Sequence, residues 1–438
     1  MEISNERRRE IIAALRKGTV PQRGLDFLAV GLRPFEPVIA SELGDVMQGA
    51  AIFKAVRGDY GCGKTFFARW VQEYAKKKGF AAAEVQISET ETPLHRLETV
   101  YRRAMEQLST NDCFLGAFRS IVDGWFYGLE EDVLAEGNID PSDEKALSNR
   151  ADELLEQRLA EITRATPQFA AVLRAYRVAQ RANDHATAEG LAGWLAGQPH
   201  VSATIKRVAG VKGDVDHFAA LSFLRGLVLI LKESGYSGLV LVLDEIETLQ
   251  RVRGDVREKG LNALRQLIDD IDSGRFPNLY LLITGTPAFF DGPQGIRRLE
   301  PLAQRLHVDF QTDARFDNPR AVQLRLSSFD HAKLLEIGMK VRDLYSSDCT
   351  SPDRVRRLAN DEYIDVLARA VVGKLGGKVG IAPRLYLKKL VSDVLDRIDQ
   401  FEDFDPTQHY DLTISPSDMT VAERESQAQN VNDIELNL

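Results

Sequence analysis

Gly58-Asp59-Tyr60-Gly61-Cys62-Gly63-Lys64-Thr65 satisfies G-x-x-x-x-G-K-[ST] without a mismatch. These residue types suit phosphate binding. Glycines let successive backbone N–H groups point into one concavity, and a helix that follows adds the positive end of its dipole. Lys64 is expected on the β- and γ-phosphates and the Thr65 hydroxyl on Mg²⁺, with Asp59, Tyr60, Cys62 and Phe66 completing the nucleotide-binding turn. The bland alternative is a glycine-rich link between a strand and a helix. Context argues against it, because Ala51–Val56 reads as a buried strand and Phe66–Lys78 as a helix ended by Gly79. Gly376-Gly377-Lys378 fails as a second such loop. Val372 stands where the first glycine belongs and Val379 where the hydroxyl belongs.

A second group of chemistry-bearing residues follows an apolar run. Leu239–Leu243 leads into Asp244-Glu245, the form of a Walker B strand. Asp244 would hold the Mg²⁺ water shell and Glu245 would take a proton from the attacking water. Two acids merely capping a strand are the plain alternative. Thr284 ends the next apolar run and either positions the lytic water or begins a turn. Arg297 and Arg305 are candidates for an arginine donated to a neighbouring subunit, and Arg384 for a lid contact to the γ-phosphate; the plain alternative for each is a solvated surface arginine. The seven histidines show no ligand spacing, so no metal is expected beyond Mg²⁺ carried by the nucleotide.

The elements that must position these residues form an α/β pattern. β-turn-α-β order over residues 51–87 starts a parallel sheet, continued by strands at Gly238–Leu243 and Leu279–Thr284 with a helix at Val256–Ile271 between them. Val308–Phe310 is expected as an edge strand. Residues 94–234 have helical period almost throughout, and the chain is helical again from Asp330 to Phe401. Trp70, Trp125 and Trp194 are expected to pack helices rather than stack bases. The expected division is an N-terminal segment 1–50 on the adenine side, a core 51–330 with its insertion at 94–234, a lid 331–400 and an acidic tail 401–438.

Composition narrows the class. A chain of 438 residues fits two to three domains at about 150 residues each. With 44% hydrophobic and 28% charged residues it is globular rather than disordered. No apolar run approaches a bilayer span and Met1–Arg7 lacks the apolar centre of a signal peptide, so a cytoplasmic protein with no membrane partner is expected. Cys62, Cys113 and Cys349 suit neither a disulfide framework nor a zinc site. From Asp399 onward ten acidic residues face one arginine, which accounts for the whole net charge of −9 and leaves a neutral body. Charge neither demands nor forbids DNA, and the Arg354-Val355-Arg356-Arg357 cluster leaves room for it.

Taken together, these elements resemble an AAA+ ATPase, with an arrangement similar to the Orc/Cdc6 and STAND-like branches. A closer resemblance comes from Ile11-Ile12-Ala13-Ala14-Leu15-Arg16-Lys17-Gly18-Thr19-Val20-Pro21, Gly24-Leu25 and Val30-Gly31. With Arg57–Phe67 and Ala382-Pro383-Arg384, this wording resembles the BREX-system ATP-binding family, the BrxD-like proteins of bacterial phage-defence loci. The resemblance implies ATP and Mg²⁺ as cofactors, Gly58, Gly61, Gly63, Lys64 and Thr65 on the phosphates and metal, and Walker B roles for Asp244 and Glu245. It also implies Thr284 as sensor 1, Arg384 as sensor 2 and Gly18–Val30 around the adenine. Implied partners are other defence proteins, with a helicase among the candidates, and further copies of the chain. Fewer than 40 residues follow Gln400, below the roughly 50-residue floor of a domain, so a DNA-binding winged helix after the lid is not expected. The expected function is an Mg²⁺-dependent ATPase that drives or regulates a defence complex. A nucleotide-gated scaffold and an ATP-dependent DNA loader or motor are the rivals.

Overall fold

A computed structural model describes residues 3–140, 142–374, 382–415 and 418. In chain order it has α1 (Asn5–Lys17), α2 (Leu25–Leu28), α3 (Glu36–Met47), β1 (Ile52–Arg57), α4 (Lys64–Lys76) and β2 (Ala81–Gln86). The expected insertion is helical: α5 (Leu97–Glu106), α6 (Phe118–Ala135), α7 (Glu144–Ala165), α8 (Pro167–Arg181), α9 (His185–Leu195), α10 (Ala203–Val208) and α11 (His217–Glu233). Then come β3 (Leu239–Asp244), α12 (Gly254–Asp272), β4 (Leu279–Gly285), α13 (Pro287–Asp291), α14 (Glu300–Arg305) and β5 (Gln323–Arg325). Helices α15 (His331–Ser346), α16 (Pro352–Leu358), α17 (Asp361–Lys374), α18 (Ala382–Lys389), α19 (Asp396–Gln400) and α20 (Pro406–His409) complete it, with a π-helical stretch Leu390–Leu395 between α18 and α19. The Gly376-Gly377-Lys378 segment and the tail beyond residue 415, Asp418 excepted, lie outside the described residues.

Local chemistry explains these boundaries. Ser4 caps α1 by accepting the Arg7 N–H, Glu6 sits in its first turn, and Arg16 and Lys17 occupy its last turn. Gly18, at φ +70°, closes it by donating to the Ala14 and Leu15 carbonyls. Strands β3 and β4 are buried at every position, which is why they read as unbroken apolar runs.

The five strands lie in the order β2-β3-β4-β1-β5, with β2 parallel to β3 and β3 parallel to β4. The edge strand corrects the sequence expectation. Val308–Phe310 is irregular, and the strand is Gln323–Arg325, after which the Leu326 N–H donates to the Arg57 carbonyl. The Phe310 carbonyl accepts from Arg325 Nη1 at 3.0 Å, and the Phe310 ring lies 4.7 Å from the Arg57 guanidinium. Side-chain contacts thus engage the segment that was expected to pair.

The chain divides into two compact units: residues 1–38, 56–73 and 308–438 form unit 1, and residues 39–55 and 74–307 form unit 2. Unit 1 is centred on an apolar cluster drawn from α1, α2 and α15–α19, including Ile11, Leu15, Ile337, Val341 and Tyr386. In unit 2, Lys54 pairs with Glu42 at 2.5 Å, and the Tyr280 hydroxyl donates to Glu42 at 2.8 Å, tying α3 to β1 and β4. Trp125 and Trp194 are buried among helices there; Trp194 meets Phe223 edge-on, as does Phe169. Among the described residues no helix is long and apolar enough to cross a membrane.

Candidate functional site

The glycine-rich turn belongs to unit 1, where it links the end of β1 to the start of α4. Its shape depends on glycine at particular places. Gly61 (φ +78°) and Gly63 (φ +95°) occupy the left-handed region, and a Cβ on Gly58 would come within 2.3 Å of Cys62 Sγ. Cys62 is buried, which pushes its thiol above the ordinary range and makes it a packing residue of the turn. Lys64 is also buried. Its ammonium donates to the Gly58 carbonyl at 2.9 Å and the Asp59 carbonyl at 3.2 Å, and lies 5.2 Å from the Tyr60 ring. The cation is therefore held inside the concavity by the backbone of its own loop. Thr65 follows in the first turn of α4, and Phe66 packs on the unit 1 core.

Helix α4 also fastens the segment expected near adenine. Gly24 and Leu25 donate their N–H groups to the two Glu73 carboxylate oxygens at 3.0 and 2.8 Å. Arg69 donates to the Val20 carbonyl at 3.0 Å, and the Trp70 indole donates to Asp26 at 3.1 Å. One helix thus begins at the phosphate-type turn and holds residues 20–26 through side chains on its next two turns.

In unit 2 the parallel register sets Leu243 against Ile283, which brings Asp244 and Thr284 side by side at the strand ends. The Thr284 hydroxyl, fully buried, donates to Asp244 Oδ1 and accepts the Glu245 N–H at 3.1 Å. Glu245 has φ +59°, a left-handed backbone that non-glycine residues seldom adopt. This turns its side chain out of the strand's alternation. Its carboxylate is half-buried and accepts from Gln86 Nε2 at 2.9 Å, Gln86 being paired with Asp244 across β2 and β3. A buried carboxylate, a buried hydroxyl and a strained, oriented glutamate form one connected network.

With both arrangements described, comparison with known families is decisive: residues 3–414 match the family described as BREX system ATP-binding protein BrxC/D. The chain belongs to that family. Among curated proteins none matches the sequence. Membership makes this an ATP-binding protein of a BREX antiphage system.

Mg²⁺ is a hard cation that takes one or two protein oxygens and retains waters; the Thr65 hydroxyl in unit 1 and the Asp244 carboxylate in unit 2 are each an oxygen donor of that kind. Among the described residues no group of three or more His, Cys, Asp or Glu side chains is gathered to hold a metal on its own. The arginines are less uniform. Arg305 pairs with Asp269 at 2.7 Å and donates to the Pro301 carbonyl at 3.1 Å, so its guanidinium is engaged within unit 2. Arg297 is exposed in a short 3₁₀ turn. Arg384, on α18 in unit 1, donates to the Asp418 carbonyl at 2.8 Å. Arg354 donates to the carbonyls of Ile398, Phe401 and Phe404, so it closes the end of α19 and the basic cluster loses one of its three cations as a nucleic-acid surface.

Sequence reading missed Gln86, Arg69 and Glu73, and of Trp70 it saw the packing role but not the bond to Asp26. The available signals were modest. Gln86 is a polar residue at the carboxyl end of an otherwise apolar strand, where α/β proteins bind ligands. Glu73 lies one helical turn after Arg69 on the helix that opens the motif.

Proposed function

We propose that the chain is an Mg²⁺-dependent, AAA+-type ATPase that converts ATP to ADP and phosphate and thereby drives or regulates a BREX defence complex in the cytoplasm. The observation that carries hydrolysis beyond binding is the Asp244–Thr284–Glu245 network, because a nucleotide holder has no need of a strained glutamate beside a buried aspartate. The backbone N–H groups of the turn and the Lys64 ammonium take the β- and γ-phosphates once Lys64 exchanges its loop carbonyls for phosphate oxygens. Thr65 and Asp244 would hold Mg²⁺, and the ion would supply neutralisation of the charge developing on the transferred phosphoryl group. Glu245 accepts the proton of the attacking water. Thr284 holds Asp244 and the Glu245 backbone in place, a positioning role that fits its complete burial. Arg384 contacts the γ-phosphate from the lid. In a homo-oligomer Arg297 is the stronger candidate for an arginine in trans, since Arg305 already holds Asp269.

Lys64→Ala tests the reading. Removing a buried, charge-assisted phosphate contact is expected to weaken ATP binding by about a hundredfold or more, measured by calorimetry against wild type. Undiminished affinity would remove the turn from the nucleotide site.

A second reading, a nucleotide-gated scaffold with little turnover, draws support from the engaged state of both key side chains: Lys64 on its own loop and Glu245 on Gln86. Steady-state phosphate release, alone and with defence-system partners or duplex DNA, separates the two. A DNA loader would in addition show nucleic-acid affinity that falls steeply with salt.

A further inference from the structure

Residues 410–415 and Asp418 have a seat in unit 1. Tyr410, Leu412 and Ile414 alternate along the chain and pack on the apolar cluster of α1 and α15–α19. Beyond them Asp418 meets three cations of α18. Lys388 Nζ lies 3.2 Å from Oδ1, Lys389 Nζ lies 3.3 Å from Oδ2, and Arg384 Nη2 donates to the Asp418 carbonyl at 2.8 Å. The Ser415 N–H and hydroxyl each donate to Asp418 Oδ2 at 3.1 Å. The Asp418 side chain is only 15% exposed, so these contacts are screened less than an open surface pair. Burial alone would raise its carboxyl, but the Ser415 N–H and the two lysines outweigh burial and bring it down to about 2.

The same cations overlie the N-terminal segment. A Cβ on Gly18 would come within 3.3 Å of Arg384 Nη1 and of Lys388 Cδ. Gly18 opens the stretch assigned to adenine, and Arg384 is assigned to the γ-phosphate. The Asp418 carboxylate placed on this cationic face is an anionic rival of a triphosphate.

We propose that the stretch carrying Tyr410, Leu412, Ile414, Ser415 and Asp418 is an autoinhibitory strap: through Asp418 it occupies the Arg384–Lys388–Lys389 face of α18 and leaves before a nucleoside triphosphate engages Arg384. This rests on the ATP reading above. The strap lowers apparent affinity by the fraction of molecules in which it is docked, so releasing it strengthens binding.

Full-length Asp418→Lys places a cation against Lys388 and Lys389, and its affinity for a non-hydrolysable ATP analogue should exceed that of wild type by about fivefold. In wild type, saturation with the analogue should remove the hydrogen-exchange protection of the Ser415 amide. Equal affinities, or Ser415 protection that survives saturation, overturn the strap and leave the ATP reading standing. Failure of both proteins to bind the analogue overturns both.

Discussion

The glycine-rich turn after β1 and the acidic end of β3 both finish a buried strand, yet they are built from different material. In the turn, backbone does the work. Glycines at 58, 61 and 63 give it its path, and even its lysine is held by carbonyls of the same loop. At the end of β3, side chains from three strands do the work: Asp244, Thr284 and Gln86 converge with Glu245. A backbone cradle suits an anion of fixed shape, because N–H groups fixed by the fold need no reorganisation to receive it. A side-chain network suits proton handling, since one carboxylate must change partners while its neighbours stay put.

That contrast predicts which variants stop chemistry and which only weaken binding. Glu245→Gln keeps the size and the left-handed backbone but cannot accept a proton. ATP affinity should stay near wild type while phosphate release falls roughly a hundred- to ten-thousand-fold. Turnover within twofold of wild type would remove Glu245 from the base role.

The backbone side of the comparison breaks differently. Gly63→Val forces a β-branched residue into φ +95°, which costs at least about 1–2 kcal/mol in the loop. ATP affinity should drop about tenfold. The thermal midpoint of the chain should fall by only a few degrees, because a cost of that size is small against the unfolding entropy of a long chain. Loss of cooperative unfolding instead would show that this turn is part of the core.

How much of this was legible in the sequence follows from distance along the chain. The phosphate-type turn is one local segment whose residue types each have a conformational reason, so it could be read directly. β3 and β4 were equally legible because buried parallel strands are unbroken apolar runs. The edge strand was not. β5 has three residues, two of them polar, and the competing Val308–Phe310 segment carries an alternation that Arg325 and Arg57 exploit through Phe310 rather than through a ladder. Partners of the acidic pair were invisible for a related reason. Gln86 meets Glu245 from 159 positions away, and only the β2–β3 register reveals it. Thr284 was visible as a strand-end hydroxyl, but its two bonds needed the β3–β4 register.

Thr284→Val removes the hydroxyl without changing shape. Asp244 Oδ1 and the Glu245 N–H then lose a buried partner, at a cost of about 1–3 kcal/mol. Denaturant midpoints should fall accordingly, and turnover should fall with little change in ATP affinity. Thr284→Ser should recover most of both. A valine variant as stable and active as wild type would mean that Asp244 and Glu245 are held by other contacts.

Gln86→Ala is the mildest change and the sharpest test of how the network is poised. The Gln86 amide occupies one oxygen of the carboxylate that must receive a water proton, so it competes with that water whenever Glu245 is to act. It is exposed and lies at the end of β2, so its loss should leave folding unaffected. Removing one hydrogen bond of about 1 kcal/mol should raise basal phosphate release about three- to fivefold at unchanged ATP affinity. A fall of similar size would assign Gln86 the opposite role, that of aiming the glutamate at its water. The sign of this small effect therefore decides whether β2 restrains the acidic pair or orients it.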